Sequence, residues 1–445
     1  MATKNFAAID LGAESGRVVV GELHTGQLLL REVYRFRNGP VRVAGHLHWD
    51  ALRLYDEILN GLALAIKQCG SLASAAVDTW GVDFGLLDRT GALIGNPYHY
   101  RDHRTDGVME QVFARVPREQ VFAATGIQFM PLNTLYQLYV MRGTPALESA
   151  ATLLLMPDLI NYWLTGERRA EYTIATTTQF FNPMRRQWAI ELLNQLDLPV
   201  NILPEIVQPA SPIGDLVPTA ADQIGAKLRI VAPAAHDTQS AIAAVPARLD
   251  DYAYISSGTW SLMGVVSPTP FITDMTRDFN FTNEGGADGT ICLLKNLTGL
   301  WLVQECRRAW ARDGEDLSYA ELAALAEDAP SFRAFIDPDD AAFLSPDDMP
   351  HAIAVFLAAT GQSVADERGS LLRVVLESLA AKYRLTLEQL EQITGRSLEV
   401  IHIVGGGSQN QLLCQLTADA CRRPVLAGPV EATALGNIMA QLVAA

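Results

Sequence analysis

Basic residues are scarce in this chain. Its 445 residues include 34 Lys and Arg against 50 Asp and Glu, which gives a formal net charge of −16 at pH 7. A nucleic-acid-binding surface needs basic side chains that neutralise phosphates, and anionic membrane surfaces attract the same side chains. The charge therefore argues against a nucleic-acid partner and against attachment to a membrane.

Cysteine is also rare, and long apolar segments are missing. The five cysteines form no CxxC pair and leave one over, which is typical of thiols kept reduced in the cytosol. No segment reaches the roughly 18 uncharged apolar residues of a membrane-spanning helix, and the N-terminus lacks the apolar core of a signal peptide. We therefore expect a soluble, cytoplasmic protein.

Two common nucleotide-binding signatures are absent as well. Lysine never follows glycine in the sequence, which excludes the P-loop. The segment HIVGGGSQNQLL predicts a strand, a glycine turn and a helix N-terminus where a nucleotide could approach the backbone. Asn410, however, stands where the dinucleotide motif GxGxxG requires its last glycine.

Apolar residues make up 49% of the chain, which is enough for two or three globular domains. Predicted strands alternate with predicted helices, such as the amphipathic helix that ends at Gly395 and the strand EVIHIV after it. This alternation indicates an α/β fold with parallel strand pairing. The segment AAVPARLDDYAYI interrupts the apolar pattern, and we predict domains 1–246 and 247–445.

Two glycine-containing hairpins are predicted, FAAIDLGAESGRVVVGEL at the N-terminus and YAYISSGTWSLMGVV at the start of the second half. The aligned residues are Ile9 with Ile255, Asp10 with Ser256, and Gly12 with Gly258. The match suggests a duplicated domain. Turns with many backbone N–H groups and few Cβ atoms suit phosphate oxygens, although an ordinary glycine hairpin is the alternative.

The segment AAHDTQSAI places His236 and Asp237 between a buried strand and a helix. The simpler interpretation is that Asp237 or Thr238 caps the helix. The other is that a carboxylate has been fixed at the mouth of a cleft to do chemistry. At the end of the first strand, Asp10 could hold a magnesium ion through water, or it could be an ordinary acidic residue of a hairpin.

Five motifs, DLGAESGR, DTWGVDFGLLD, AAHDTQSA, SSGTWSLMG and HIVGGGSQNQLL, resemble those of the FGGY carbohydrate kinases of the actin-like ATPase superfamily. The resemblance covers nearly the whole chain. It implies an α/β fold of two ribonuclease-H-like domains flanking a catalytic cleft, the first domain holding sugar and phosphate and the second the nucleotide. It also implies ATP and Mg²⁺ as cofactors.

Within the family, TWGVDF, YRDHRT, GIQFMPLNTLYQL, TNEGG and GPVEATALGN resemble the branch that acts on L-rhamnulose. The expected reaction is ATP-dependent phosphorylation of O1 in rhamnose catabolism. The alternatives are another 6-deoxyketose such as L-fuculose, a non-catalytic actin-like ATPase, and a sugar sensor. The expected partners are a small-molecule ketose and ATP, and the expected state is a monomer or small homo-oligomer.

The resemblance also assigns individual residues. Asp237 is expected to be catalytic, and because a carboxylate is too weak a base to ionise an alcohol beforehand, it should orient the sugar hydroxyl and take its proton late. Sugar contacts are implied for Gly81, His236, Asp237, Thr238 and Asn296, nucleotide contacts for Ala13, Glu14, Ser15, Gly16, Arg17, Thr259, Gln304, Gly405, Gly406 and Gly407, and a metal contact for Asp10.

Three further expectations concern the pocket and the chain end. A 6-deoxyketose carries a methyl group, for which Trp80, Phe84 and Phe129 are candidate wall residues, with core packing as the alternative. His99 and His103 are four residues apart without a helical pattern, so we do not expect a metal pair. The sequence ends with ALGNIMAQLVAA, where relatives continue, and we expect either a less well anchored final helix or a truncated sequence.

Overall fold

The computed structural model describes residues 4–248, 251–363 and 367–445. The chain forms two compact units. The first comprises Met1–Ala244, Val266–Leu293 and Ala432–Ala445, and the second comprises Val245–Val265 and Leu294–Glu431. The predicted division after residue 246 therefore differs from the compact units, because two later segments pack with the first unit. Leu249 and Asp250, in the predicted linker, lie outside the described residues.

Strands occur along the whole chain. In chain order they are β1 (Lys4–Leu11), β2 (Ser15–His24), β3 (Gln27–Arg37), β4 (Pro40–Val43), β5 (His46–Trp49), β6 (Ser74–Thr79), β7 (Phe84–Leu87), β8 (Thr152–Leu155), β9 (Arg169–Glu171), β10 (Phe181–Asn182), β11 (Gln187–Trp188), β12 (Glu205–Val207), β13 (Pro212–Asp215), β14 (Arg229–Val231), β15 (Tyr252–Ser257), β16 (Trp260–Ser267), β17 (Thr282–Gly285), β18 (Ile291–Thr298), β19 (Val400–Val404) and β20 (Val425–Ala427).

Helices lie between the strands. They are α1 (Ala51–Cys69), α2 (Val108–Phe113), α3 (Arg118–Thr125), α4 (Thr134–Tyr139), α5 (Pro145–Ser149), α6 (Met156–Thr165), α7 (Tyr172–Thr176), α8 (Ile190–Gln195), α9 (Pro218–Ile224), α10 (Asp237–Ala243), α11 (Asp274–Asp278), α12 (Trp301–Arg312), α13 (Tyr319–Asp328), α14 (Met349–Ala359), α15 (Arg368–Thr394), α16 (Gln411–Cys421) and α17 (Ala432–Ala444). Short 3₁₀ helices cover His103–Thr105, Ala341–Phe343 and Gly406–Gln409. Among the described residues, no helix has the length and apolarity needed to span a membrane.

The main sheet of the first unit has the strand order β13-β14-β6-β1-β2-β3. β1 and β2 form the predicted hairpin, whose short turn forces antiparallel pairing, while β6 lies parallel to β1 on its other side. Every residue of β6 is buried, as its small apolar sequence SAAVDT leads one to expect of a central strand. The sheet is therefore mixed, and the predicted parallel pairing holds only for some of its strands.

The second unit repeats this arrangement. Strands β18, β16, β15, β19 and β20 follow one another in the sheet as β3, β2, β1, β6 and β14 do in the first unit. β15 pairs antiparallel with β16 and parallel with β19, as β1 does with β2 and β6. The shared order supports the duplication that the two hairpins suggest, and it places the turn after β15 in the same topological position as the turn after β1.

The final helix, α17, is firmly anchored in the first unit, so the expectation of weak anchoring is wrong. Its Gln441 donates from Nε2 to the carbonyl of Ala7 at 2.9 Å and accepts from Ser74 Oγ at 2.7 Å. A Cβ on Gly436 would lie 1.8 Å from the carbonyl oxygen of Ser240 in α10, so only glycine permits this approach. Sequence pattern alone does not show such distant contacts.

Candidate active site

Asp237 lies at the edge of the first unit's sheet where the parallel strands end. It is the first residue of α10, and the segment before it runs beside β6, with the N–H of Thr79 bonded to the carbonyl of Ala235 at 2.9 Å. In the neighbouring strand β1, Asp10 is paired with Asp78 of β6. Because carboxyl ends of adjacent parallel strands meet at one edge, Asp10, Asp78 and Asp237 converge there, the usual ligand-binding edge of such sheets.

The Asp237 carboxylate is partly open to solvent, with 28% of its side chain exposed. Its Oδ1 atom accepts hydrogen bonds from the backbone N–H and the hydroxyl of Thr238, at 2.5 and 3.2 Å. Burial raises the pKa of Asp237 to about 6, and the charge of Asp10 adds to this while His236 opposes it. The group is therefore mostly ionised at pH 7 and titrates close to it, as a proton acceptor in catalysis requires.

The capping interpretation holds in part, because Asp237 accepts a hydrogen bond from the backbone N–H of Thr238 at the start of α10 without being its N-cap residue. His236 occupies the N-cap position of α10 without a side-chain cap bond, and Asp237 and Thr238 are the first two helical residues. The Asp237 carboxylate is bonded only to its neighbour Thr238. Its remaining oxygen, Oδ2, is thus available to another group.

His236 is held between two carboxylates and is 6% exposed. Its Nδ1 atom lies 3.0 Å from Glu284 Oε2 and its Nε2 atom 3.6 Å from Asp237 Oδ1. Burial by itself lowers the pKa of His236, but the charges of Glu284 and Asp237 outweigh it and hold the pKa above its ordinary value. The two carboxylates therefore favour the imidazolium form of His236.

Glu171 and Thr173 hold the backbone that leads into Asp237. Glu171 is completely buried, and its Oε2 atom accepts from Thr173 Oγ1 at 2.6 Å and from the N–H of Ala235 at 3.1 Å. Thr173 Oγ1 in turn accepts from the N–H of His236 at 3.2 Å. Burial raises the pKa of Glu171 to about 7. The last residues before Asp237 are therefore fixed by side chains from the β9–α7 junction.

Asp10, the predicted metal contact, is paired with Arg17, a predicted nucleotide contact. Arg17 Nε and Nη2 lie 2.9 and 2.8 Å from Asp10 Oδ2, across the first hairpin. Asp78 beneath them is fully buried, accepts from Asn437 Nδ2 at 2.6 Å through Oδ2, and has no hydrogen-bond partner at Oδ1. Burial, followed by the charge of Asp10, raises the pKa of Asp78 well above its usual range. Asp78 therefore favours its protonated form, which limits the negative charge at this edge.

A magnesium ion fits this edge only with few direct protein ligands. The residues that the structure describes contain no group of three His, Cys, Asp or Glu side chains placed to hold a metal ion. Both hydrogen bonds from Arg17 end on Oδ2 of Asp10, which leaves Oδ1 for a cation or its water shell. Mg²⁺ commonly keeps several waters and takes one or two carboxylates, so Asp10 is compatible with a hydrated ion.

The turn between β1 and β2 contains Ala13, Glu14 and the start of β2 at Ser15. The Cβ positions of Gly12 and Gly16 have different surroundings. A Cβ on Gly16 would lie 2.3 Å from the ring of Phe36, so packing requires glycine there. A Cβ on Gly12 would lie 3.3 Å from the carbonyl oxygen of Ser15, a tight contact with the backbone of the same turn. Packing within the hairpin thus disfavours a side chain at Gly12 as well, though less severely than at Gly16.

Gly81, a predicted sugar contact, lies in a strained turn. The next residue, Val82, has φ of 69°, which is a rare conformation for a β-branched side chain. Its N–H donates to Thr177 Oγ1 at 3.2 Å, and its carbonyl accepts from Thr134 Oγ1 at 2.6 Å. Two threonines thus hold the turn in place, and strain of this kind is concentrated at functional sites.

Asp83, which the sequence reasoning did not single out, organises an aromatic cluster beside this turn. Its Oδ2 atom accepts from the indole nitrogens of Trp49 and Trp80 at 2.5 and 3.0 Å, and its Oδ1 atom accepts from Gln137 Nε2 at 2.8 Å. Burial raises the pKa of Asp83 to about 6. Of the three residues suggested for a wall facing the sugar methyl group, only Trp80 belongs to this cluster. Its ring packs against that of Trp49, with ring centroids 3.9 Å apart.

The other wall candidates and the histidines have structural surroundings. Phe84 and Phe129 are 6% and 7% exposed and belong to the hydrophobic core of the first unit, in line with core packing. Burial lowers the pKa of His99 to about 3, and its ring stacks on Tyr100. His103 lies at the surface beside Asp106, 3.1 Å away. The two histidines thus face different surroundings, as expected for residues that do not form a metal pair.

The second unit gathers the remaining nucleotide candidates around the β15–β16 turn. The carbonyl of Thr259 accepts from the N–H groups of Gly299 and Trp301, at 3.2 and 3.1 Å, so the turn lies against the start of α12. Gln304 is in the first turn of that helix. Asn296, the fifth predicted sugar contact, lies on β18 of this unit, and its role stays a prediction.

The glycine turn after β19 contacts the same hairpin. Cβ atoms on Gly405 and Gly407 would lie 3.0 Å from the carbonyl oxygen and 2.0 Å from the hydroxyl of Ser257. Gly405 also has φ of 83°. For Gly406 no atom lies within 4 Å of the Cβ position and no positive φ is required. This open position suits the approach of a ligand to the backbone.

Two family models match almost the whole chain. Residues 6–244 match the family model described as the N-terminal domain of the FGGY family of carbohydrate kinases, and residues 253–445 match the C-terminal domain. The chain is 46% identical over 441 residues to a protein named rhamnulokinase from Bacteroides thetaiotaomicron, covering 98% of this chain and 90% of that one. It is 45% identical over 449 residues to a protein of the same name from Pectobacterium carotovorum, covering 100% and 89%.

Solved structures share the fold at much lower identity. A ligand-bound xylulose kinase from Lactobacillus acidophilus has a TM-score of 0.81 at 17% identity, covering 99% of this chain and 89% of its own. A gluconate kinase from the same organism has a TM-score of 0.80 at 16% identity, covering 100% and 89%. These likenesses confirm the predicted two-domain α/β fold class.

Proposed function

The chain belongs to the FGGY family of carbohydrate kinases, and we propose that it transfers the γ-phosphoryl group of ATP to O1 of L-rhamnulose. The products are L-rhamnulose 1-phosphate and ADP. The observation that carries the sugar kinase assignment is the partly exposed Asp237 carboxylate at the sheet edge it shares with Asp10. The identity to two proteins named rhamnulokinase over almost the full chain supports the choice of ketose.

Asp237 is the proposed proton acceptor. With a pKa of about 6 it is ionised at neutral pH, and its Oδ2 atom is not used by Thr238. The sugar hydroxyl donates to this carboxylate and is thereby aligned with the phosphoryl group. Since phosphoryl transfer proceeds through a loose transition state, the proton passes to Asp237 late, as the new P–O bond forms and the bond to ADP breaks.

ATP is proposed to use backbone groups of the glycine turns. The Cβ position of Gly406 is open, whereas those of Gly12 and Gly258 each have a backbone oxygen nearby, at 3.3 and 3.9 Å. The N–H groups of Gly12 and Gly258 donate within their own hairpins, which leaves the other N–H groups of these turns as the proposed donors. Phosphate oxygens accept hydrogen bonds from backbone N–H groups in turns of this kind. Thr259 and Gln304 lie at the second-unit turns and are proposed to contact the nucleotide. When bound, Mg²⁺ neutralises charge on the phosphates, and Asp10 is the residue that would hold it.

Arg17 is better described as a partner of Asp10 than as a direct phosphate ligand. Its guanidinium makes two hydrogen bonds to Asp10 Oδ2 and lies 3.8 Å from Glu32. It fixes the orientation of the Asp10 carboxylate and offsets part of the negative charge at this edge. A nucleotide contact for Arg17 remains the proposal implied by the DLGAESGR motif.

The test of this function is ADP release measured over a panel of ketoses, with the phosphate position of each product determined by NMR. The proposal expects L-rhamnulose to be the best acceptor and the phosphate to be on O1. Preference for L-fuculose would favour the alternative 6-deoxyketose. Sugar binding without ADP release would favour a sensor. We also propose that the protein acts in the cytoplasm, where ATP is available and its five free thiols remain reduced.

A further inference from the structure

Glu284 lies behind His236, on the side away from Asp237. It is part of β17 in the first unit and is 4% exposed. Its Oε2 atom lies 3.0 Å from Nδ1 of His236 and accepts from Gln239 Nε2 at 3.1 Å. Gln239 belongs to α10, so both partners of this carboxylate flank Asp237 in the sequence. The buried charge of Glu284 is compensated by the imidazole and by one neutral amide.

The ring of His236 thus connects two carboxylates. Glu284 faces Nδ1, and Asp237 lies 3.6 Å from Nε2. A neutral imidazole would leave the buried charge of Glu284 without a cation, whereas an imidazolium is attracted by both carboxylates. The pairing is electrostatic, because Nδ1 has no hydrogen-bond partner and 3.6 Å is too long for a hydrogen bond at Nε2. Two anionic neighbours on opposite sides of one buried ring therefore favour the doubly protonated form.

We propose that Glu284 is a positioning residue of the phosphoryl transfer, which orients the His236 imidazole and keeps both of its ring nitrogens protonated. His236 then presents a cationic N–H beside Asp237, at the place where the sugar hydroxyl is aligned. The cation keeps Asp237 ionised and so able to accept a proton. Its N–H can also donate to an oxygen of the bound ketose. This inference rests on the proposed function, because it assigns Glu284 a part in the same reaction.

The charged groups around the ring favour this state. Glu284 approaches from β17, Asp237 from the start of α10, and Glu171 from the β9–α7 junction, and all three raise the pKa of His236 against the effect of burial. Asp237 in turn has a second charged neighbour, Asp10, whose like charge raises the pKa of Asp237. His236 is thus the cation that offsets the effect of Asp10. Without Glu284, the imidazole would lose the neighbour that contributes most to its charge.

The variant that isolates this charge is Glu284→Gln. Its amide has the same shape and can still bond Gln239, but it carries no charge. Protein labelled with ¹⁵N-histidine gives the protonation state of each ring nitrogen by NMR, with His236 assigned from His236→Asn. In the wild type we expect two protonated ring nitrogens at pH 7. In Glu284→Gln, the midpoint of the His236 titration should fall by about one pH unit or more.

The kinetic prediction separates positioning from folding. Glu284→Gln should lower kcat about 10- to 100-fold, as expected when a buried imidazolium loses its paired charge, and leave KM for ATP nearly unchanged. The acidic limb of kcat/KM should move to higher pH, since Asp237 loses its cationic neighbour. Glu284→Asp, which keeps the charge on a shorter side chain, should recover part of the activity.

Glu377→Gln is the matched control. Glu377 lies on α15 in the second unit, is 3% exposed, and pairs with Arg373 at 2.6 Å. Loss of this buried charge should lower thermal stability without changing the His236 titration or the pH profile. A Glu284→Gln enzyme with the wild-type His236 titration, or with full kcat, would overturn the inference.

Two outcomes keep the test decisive. If Glu284→Gln does not fold, the wild-type spectrum still decides, because a single ring N–H on His236 at pH 7 contradicts the proposal. If the wild type phosphorylates no ketose, the proposed function fails, whereas the His236 titration still reports on its pairing with Glu284. The two failures are therefore distinguishable.

Discussion

The carboxylate of Glu171 accepts a hydrogen bond from the backbone N–H of Ala235, 3.1 Å away and two residues before Asp237. The same oxygen accepts from Ile174 N at 3.0 Å, and Oε1 has no hydrogen-bond partner. A buried acid thus ties the start of α7 to the chain that leads into α10. This link fixes the backbone of the proposed proton acceptor from outside its own helix.

Replacing this acid should change how stability depends on pH. The pKa of Glu171 is about 7 in the folded protein against 4.5 in its ordinary state, so the folded chain binds more protons between these values. Its contribution to the free energy of unfolding is therefore present at low pH and is lost as pH rises towards 7. At about 1.4 kcal/mol per pH unit, the loss is about 3 kcal/mol.

Glu171→Gln should accordingly flatten the decrease in stability between pH 5 and 7.5, measured by denaturant unfolding. Glu205→Gln is a suitable control, because Glu205 is an exposed residue of the adjacent strand β12. An unchanged pH dependence in Glu171→Gln would show that the acid does not titrate in this range.

Anchoring of α17 can be tested at Gln441. Gln441→Leu removes the bonds to Ala7, Ser74 and Asn437 and leaves their buried partners unsatisfied. We expect a loss of about 1–3 kcal/mol in the free energy of unfolding of the first unit. Met439→Leu, on the same helix but 41% exposed, should change it by less than about 0.5 kcal/mol. Equal effects of the two substitutions would contradict the anchoring.

The phosphate-binding turn can be tested at Gly12. Gly12→Val crowds the turn, because its Cβ would lie 3.3 Å from the carbonyl oxygen of Ser15, and it should raise KM for ATP about tenfold or more, with little effect on sugar binding. Gly95→Val is the matched control, since no atom lies within 4 Å of its Cβ position and it also lacks a positive φ. Unchanged ATP affinity in Gly12→Val would remove the turn from the nucleotide site.

The pH dependence of activity should follow the ionisation of Asp237. Because the group must be ionised to accept a proton and burial raises its pKa to about 6, kcat/KM should fall about tenfold per pH unit below pH 6. The profile is measured by ADP release at subsaturating ketose. An acidic limb near pH 4, the ordinary range of an aspartate, would mean that Asp237 is not desolvated as its surroundings indicate.

Local patterns in the sequence were sufficient for much of the fold. Helix α1 is specified by its own ends, because the Asp50 side chain accepts from Arg53 N at 3.2 Å at its start and Gly70 follows its last residue. Both glycine hairpins form as well, because their alternating apolar residues and short turns specify antiparallel pairing locally. The helix ending at Gly395 is equally local, since that glycine adopts φ of 68°.

The residue pairings that the sequence pattern did not reveal depend on contacts between residues far apart in the chain. Glu284 was part of the quoted TNEGG motif, but nothing near it in the chain shows that it pairs with His236. Glu171 likewise contacts Ala235 only through the tertiary fold. Arg17 was predicted to bind nucleotide, and its pairing with Asp10 becomes apparent only from the cross-strand register of the first hairpin.

The most direct test is the turnover of Asp237→Asn with ATP and L-rhamnulose, measured as ADP release alongside calorimetric binding of both substrates. The amide keeps the size of the side chain and loses its basicity. Turnover should fall about 10³-fold while both substrates bind with nearly wild-type affinity. Near-normal turnover would contradict the claim that Asp237 accepts the proton of the sugar hydroxyl.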